Sequence, residues 1–149
     1  MAANPLVVQG TLNRLRGSVV VPSFPNLNVT NGYLGKLGIR LALQGDATQF
    51  VDTMTGMVTS PEPYLPGVIT MHLLRTQNLA ALWRAQMESQ ITALGEVSVF
   101  SDSAVWPEYD FFNCALTSIT EMPFDGTDPG YVIAIRGTYQ INAGMFNLT

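Results

Sequence analysis

A chain of 149 residues is one domain by length, and at that size folding hides enough surface for a core that needs no disulfide or metal. Only 12% of its residues are charged against 47% hydrophobic, so a lone molecule has few groups with which to solvate its surface, and self-association is expected. A net charge of −4, with Lys36 and the arginines 14, 16, 40, 75, 84 and 136 scattered along the chain, argues against a protein that grips nucleic acid through a clustered basic patch.

Leu6–Gln9 and Leu12–Val21 read as opening strands, the second with a bulge or bend at Gly17. Asn31-Gly32 is a tight-turn dipeptide. Leu37–Leu43 then alternates large apolar residues with small or charged ones, the pattern of a half-buried strand. Residues 44–66 break that pattern. Phe50 to Thr59 has strand propensity on both faces, and the prolines at 61, 63 and 66 disfavour a paired central strand. A projecting arm or hairpin is the expectation, with Phe50, Met54, Met57 and Tyr64 as an adhesive patch.

The most informative stretch is 66–91. Gly67–Leu74 is a strand with Val68, Thr70 and His72 on one face and Ile69, Met71 and Leu73 on the other. The period then changes. From Thr76, a plausible N-cap, apolar residues recur at Leu79, Leu82, Trp83, Met87 and Ile91, which predicts a helix over 76–91 that packs through Leu79, Leu82, Trp83 and Met87. Gly95–Phe100, Tyr109–Glu121 and Tyr131–Ile141 are further strands, and Asp125–Gly130 is a turn. One helix on a mainly β body is the fold class.

Catalytic and metal chemistry find little support. His72 is the sole histidine and reads as a surface or interface residue, and Cys114, also alone, reads as a small core residue and fits a reducing, cytoplasmic setting. Glu108 and Asp110 share a strand face, a pairing that can do acid–base work but better fits a solvated edge. Asp125 and Asp128 lack the further oxygens of a calcium loop. Gly32–Gly38 lacks the spacing, the Ser or Thr after lysine and the following helix of a phosphate loop. The first residues have neither a basic region nor a long apolar core, and no run is long enough for a membrane helix. No cofactor is expected.

The segment Pro66-Gly67-Val68-Ile69-Thr70-Met71-His72-Leu73-Leu74-Arg75-Thr76-Gln77-Asn78-Leu79-Ala80 resembles the strand-to-helix signature of tail tube proteins of contractile-tailed bacteriophages. Met54–Tyr64, the Asn113–Leu116 strand and the closing Gly130–Gly137 strand are similar to that family in order and placement. The resemblance implies a β-sandwich or small barrel with one flanking helix, the fold shared with the type VI secretion tube protein. It implies a non-enzymatic virion protein of the tail, assembled in the host cytoplasm into hexameric rings that stack as the inner tube for DNA ejection. Sheath, baseplate and tape-measure proteins would be its partners, DNA would pass without specific binding, and no membrane would be involved. The arm, through Phe50, Met54, Met57, Pro61, Pro63, Tyr64 and Leu65, would contact neighbouring subunits or rings, together with the N-terminal segment and Met145–Thr149. An acidic subunit suits a lumen that must not hold phosphate. The competing readings are a head decoration or tail-completion protein, which would not polymerise, and a small-ligand β-barrel with Trp83 or Trp106 lining its pocket.

Overall fold

The computed structural model describes residues 14–75 and 78–142. Within them run the strands β1 (Gly17–Val20), β2 (Leu34–Leu43), β3 (Thr48–Asp52), β4 (Met57–Pro61) and β5 (Tyr64–Leu74), the helix α1 (Leu79–Glu88), and the strands β6 (Ala93–Ser101), β7 (Glu108–Glu121) and β8 (Gly130–Gln140). The expected strand at Leu6–Gln9, the first residues of the one at Leu12–Val21, the Thr76 cap and the Met145–Thr149 tail lie outside the described residues.

Six strands, in the order β1-β6-β7-β8-β5-β2, form one antiparallel sheet. It curls until its two edges nearly meet, which makes a small barrel-like body. The fold is mainly β with one helix, as the sequence pattern requires. Strict alternation gives the curled sheet an inside and an outside. In β5, Leu65, Gly67, Ile69, Met71 and Leu73 turn inward while Pro66, Val68, Thr70, His72 and Leu74 turn outward. The inward set joins Val97, Phe111, Cys114, Ile133 and Ile135 in one core.

Glycines set how closely the layers approach. Gly17 makes no bulge. It opens β1 at the seam with β2, where a Cβ would lie 3.0 Å from Ile39 Cδ1. Register shifts fall elsewhere: at Gly38 (φ +62°) in β2 and Gly95 (φ +74°) in β6, two left-handed positions that glycine takes without steric cost, and at three places along the β7–β8 pairing, the first of which spans Asn113 (φ +52°).

Two expectations need correction. The helix is ten residues, Leu79–Glu88, rather than 76–91. Leu79 and Trp83 are buried and Met87 packs against the core, but Leu82 is 38% exposed and Ile91 lies beyond the helix on the surface. The helix is too short to present four turns, and its buried stripe is one residue wide. Secondly, Tyr64-Leu65-Pro66 belongs to β5, in the middle of the sheet between β8 and β2. Pro66 fits because the ladder asks only for its carbonyl, which accepts the Gln44 N–H at 2.8 Å.

Candidate assembly surface

The arm is a hairpin. β3 and β4 form a separate two-stranded sheet that continues from the β2 and β5 ends. Glu62 N–H donates to the Ala47 carbonyl at 2.8 Å at its base, and Thr53 N–H donates to the Gly56 carbonyl at 2.7 Å across its tip. Pairing places Phe50 opposite Thr59 and Asp52 opposite Met57 on one face, with Val51 opposite Val58 on the other. Both faces therefore carry large apolar side chains among polar ones, and both are open to solvent. Phe50 is 64% exposed and Met54, at the tip, is fully exposed. A two-stranded sheet in water is marginal without a third layer.

Of the residues expected to make contacts, Phe50, Met54, Met57, Pro61 and Tyr64 are exposed and Pro63 is half-buried. Leu65 is the exception. At 8% exposure it points inward from β5, so its side chain belongs to the core and not to a contact surface. Charge on the arm is of one sign: Asp46, Asp52 and Glu62 are its ionised groups, and no Lys or Arg occurs between Leu41 and Leu74.

Apolar exposure extends past the arm. At the end of the barrel where the arm emerges, the seam between β1 and β2 stays open as a cavity of about 400 Å³. Leu15, Ile39, Leu41, Leu43, Trp106 and Phe111 line it. The sequence pattern did not mark this site. It forms because β1 and β2 approach without pairing, and such a seam is set by curvature rather than by periodicity. Arg16 holds its lip, with its backbone N–H and Nε both donating to the Asp102 carboxylate, the latter at 2.8 Å. At the opposite end, Phe124 and Met122 stand exposed where Arg75 donates to the carbonyls of Pro123 and Asp128.

The remaining candidate groups are occupied locally. Asp125 Oδ1 accepts the backbone N–H groups of Thr127 at 3.0 Å and Asp128 at 2.7 Å, and these bonds hold its carboxyl below the usual range. Ser98 Oγ donates to Asp110 Oδ1 at 2.7 Å, and Glu108 is raised through its hydrogen bond to Asp110. Cys114 is buried, and desolvation pushes its thiol up to about 11. A buried thiol that holds its proton this firmly is a poor nucleophile.

No known protein family matches the chain. No curated protein matches it either. Among solved structures it is similar to the tube-terminating cap of the anti-feeding prophage, at 14% identity over 92% of each chain with a TM-score of 0.47.

Proposed function

We propose that the chain is a non-catalytic structural subunit that assembles with copies of itself into hexameric rings, stacked as the inner tube of a contractile tail through which DNA is ejected. The observation that carries this reading is the hairpin, a two-stranded sheet with large apolar side chains on both faces that a lone chain leaves in water. The strand-to-helix segment Pro66–Ala80 and the low charge content support it from the sequence. β2 is an edge strand whose outer pairing groups ring closure would satisfy, whereas the edge of β1 at Val19 is already capped by Val29.

The test is negative-stain electron microscopy with light scattering on the purified chain. Rings or hollow tubes are expected. Replacing residues 46–62 by a two-residue turn keeps Tyr64 and Leu65 in β5 and should leave a folded subunit that no longer stacks. Tubes that persist without the hairpin, or a wild-type chain that stays monomeric when offered preformed baseplate, would overturn the proposal.

A second reading, a small-ligand barrel, has one observation in its favour: the open seam is lined by Trp106 and has the volume of a ligand pocket. Trp83 has no part in it, being fully buried. Saturable quenching of Trp106 by an apolar ligand in a well-behaved monomer would favour this reading over the tube.

A further inference from the structure

Most of the exposed large apolar side chains gather at the two ends of the barrel and on the hairpin. Two rows in the middle of one sheet face have none, and Phe112, opposite Thr138, marks their margin. Pairing sets Ala42 and Arg40 of β2 opposite Val68 and Thr70 of β5. The same two β5 residues face Arg136 and Ala134 of β8. Ala115 and Ser118 of β7 continue the rows. Partners across an antiparallel ladder point to the same side, so these residues form one outward face of small groups with two arginines. Both arginines are exposed, and among the described residues neither takes part in an ion pair. The first carboxylate on these rows is Glu121, one row further on beside His72 and Val132.

We infer that this face is a contact surface for a phosphodiester backbone and, in the assembly proposed above, the wall that stays wet. Two features point there. A surface that remains in water after assembly must be poor in large apolar groups, and these two rows are, with Phe112 only at their margin. Guanidinium groups flanking β5, two strand spacings apart across the sheet and one row apart along it, so about 12 Å between their backbones, suit alternate phosphates of one strand better than compact ammonium groups would. The acidic residues that give the chain its net charge of −4 do not populate these rows before Glu121. The scattered basic residues of the sequence are thus brought into a pair by β5. The identification as a channel wall rests on the tube reading; the phosphate contact does not.

The test titrates the full chain, under conditions where it is unassembled, into a fluorescein-labelled mixed-sequence DNA duplex, with anisotropy read at several salt concentrations. Weak, salt-sensitive binding is expected. The double variant R40Q/R136Q should weaken it at least fivefold and flatten the logarithmic salt slope by about 1.8, two phosphate contacts' worth. R84Q, whose arginine bonds Glu88, should bind as wild type. No binding, an R40Q/R136Q variant equal to wild type, or equal competition by polyglutamate would overturn the inference. Accessibility tests the wall. Thr70→Cys, or Ala42→Cys should the first fail to fold, should react with a small maleimide in assembled tubes as fast as in free subunits, and protection on assembly would overturn the wet wall. A failure to form tubes, with phosphate binding still lost in R40Q/R136Q, would sink the tube alone.

Discussion

Gly67 and Gly137 sit opposite one another on the inward face of β5 and β8, and each is a hole filled by a β7 side chain. At Gly137 an added Cβ would lie 2.4 Å from Cys114 Sγ, 3.2 Å from the Phe112 carbonyl oxygen and 3.4 Å from Cys114 Cα. The sulfur must move by about 1 Å, and β7 offers no slack because its backbone is the next contact; such overpacking costs about 2–3 kcal/mol. Cys114→Ala removes the buried sulfur and leaves a methyl-sized void, for about 1–2 kcal/mol. The double variant puts a methyl where the sulfur was. With the 2.4 Å clash gone, only the ordinary-to-tight contacts at 3.2 and 3.4 Å remain, and about 1 kcal/mol of destabilisation is expected. The two changes should therefore be coupled by about −2 to −4 kcal/mol. Urea denaturation followed by far-ultraviolet circular dichroism measures each corner of the cycle, at a concentration where light scattering gives one species. Additive costs, or a Gly137→Ala variant as stable as wild type, would refute the packing described for β7 on β8.

Trp83→Ala should cost about 3–5 kcal/mol, because the indole is fully buried, whereas Leu82→Ala, one residue away and 38% exposed, should cost under about 1 kcal/mol; comparable urea midpoints would contradict the helix orientation. Asp102 lies below its ordinary value of 3.8 chiefly through the side-chain hydrogen bond from Arg16. Its contribution is thus present above that value and lost as pH falls through the lowered one, so Asp102→Asn should flatten the acid limb of a stability–pH curve and leave the neutral region's slope unchanged. An acid limb identical to wild type would refute that assignment. Cys114, held up to about 11, should resist iodoacetamide at pH 8.5 in the folded chain and react fully in urea; rapid labelling without denaturant would place the thiol outside the core. Replacing Met54 and Met57 by aspartate should abolish the proposed stacking without changing the unfolding free energy by more than about 0.5 kcal/mol, since neither side chain is buried in the subunit.

Much of the body was legible because periodicity carries it. The two faces of β5, the strands around Val97 and Ile133 and the Asp125–Gly130 turn follow from alternation and turn chemistry alone. Where the reading slipped, a local rule met a tertiary fact. Pro66 lies in a central strand because only its carbonyl is needed there, which no propensity reveals. Leu82 shares the helical spacing of Leu79 and Trp83 but overshoots a layer supplied mainly by β7 and the Pro25–Leu27 turn. Leu65 was grouped with the arm by its neighbours, although the parity of Ile69 and Met71 already puts it inside. The seam cavity and the arginine face had no sequence signal, because both depend on which strands become neighbours.

That dependence bears on how an acidic chain would meet DNA in the proposed tube. Net charge describes the molecule at a distance, yet a surface within reach of a phosphate feels the groups on its own rows, since screening confines the rest to about 10 Å at moderate salt. The hairpin gathers Asp46, Asp52 and Glu62 onto a projection, while Arg40 and Arg136 stand on the smooth sheet face. An acidic exterior with two weak cationic contacts per subunit gives neither uniform repulsion nor a trap. In the proposed tube each contact would be weak enough to break and the pattern would repeat with every copy, so a sliding polyanion would exchange equivalent neighbours without a deep minimum. Charge reversal rather than neutralisation separates this from simple repulsion. R40E/R136E should slow passage of duplex DNA through assembled tubes relative to R40Q/R136Q if the contacts guide it, and the two variants should pass it equally if the face only keeps its distance.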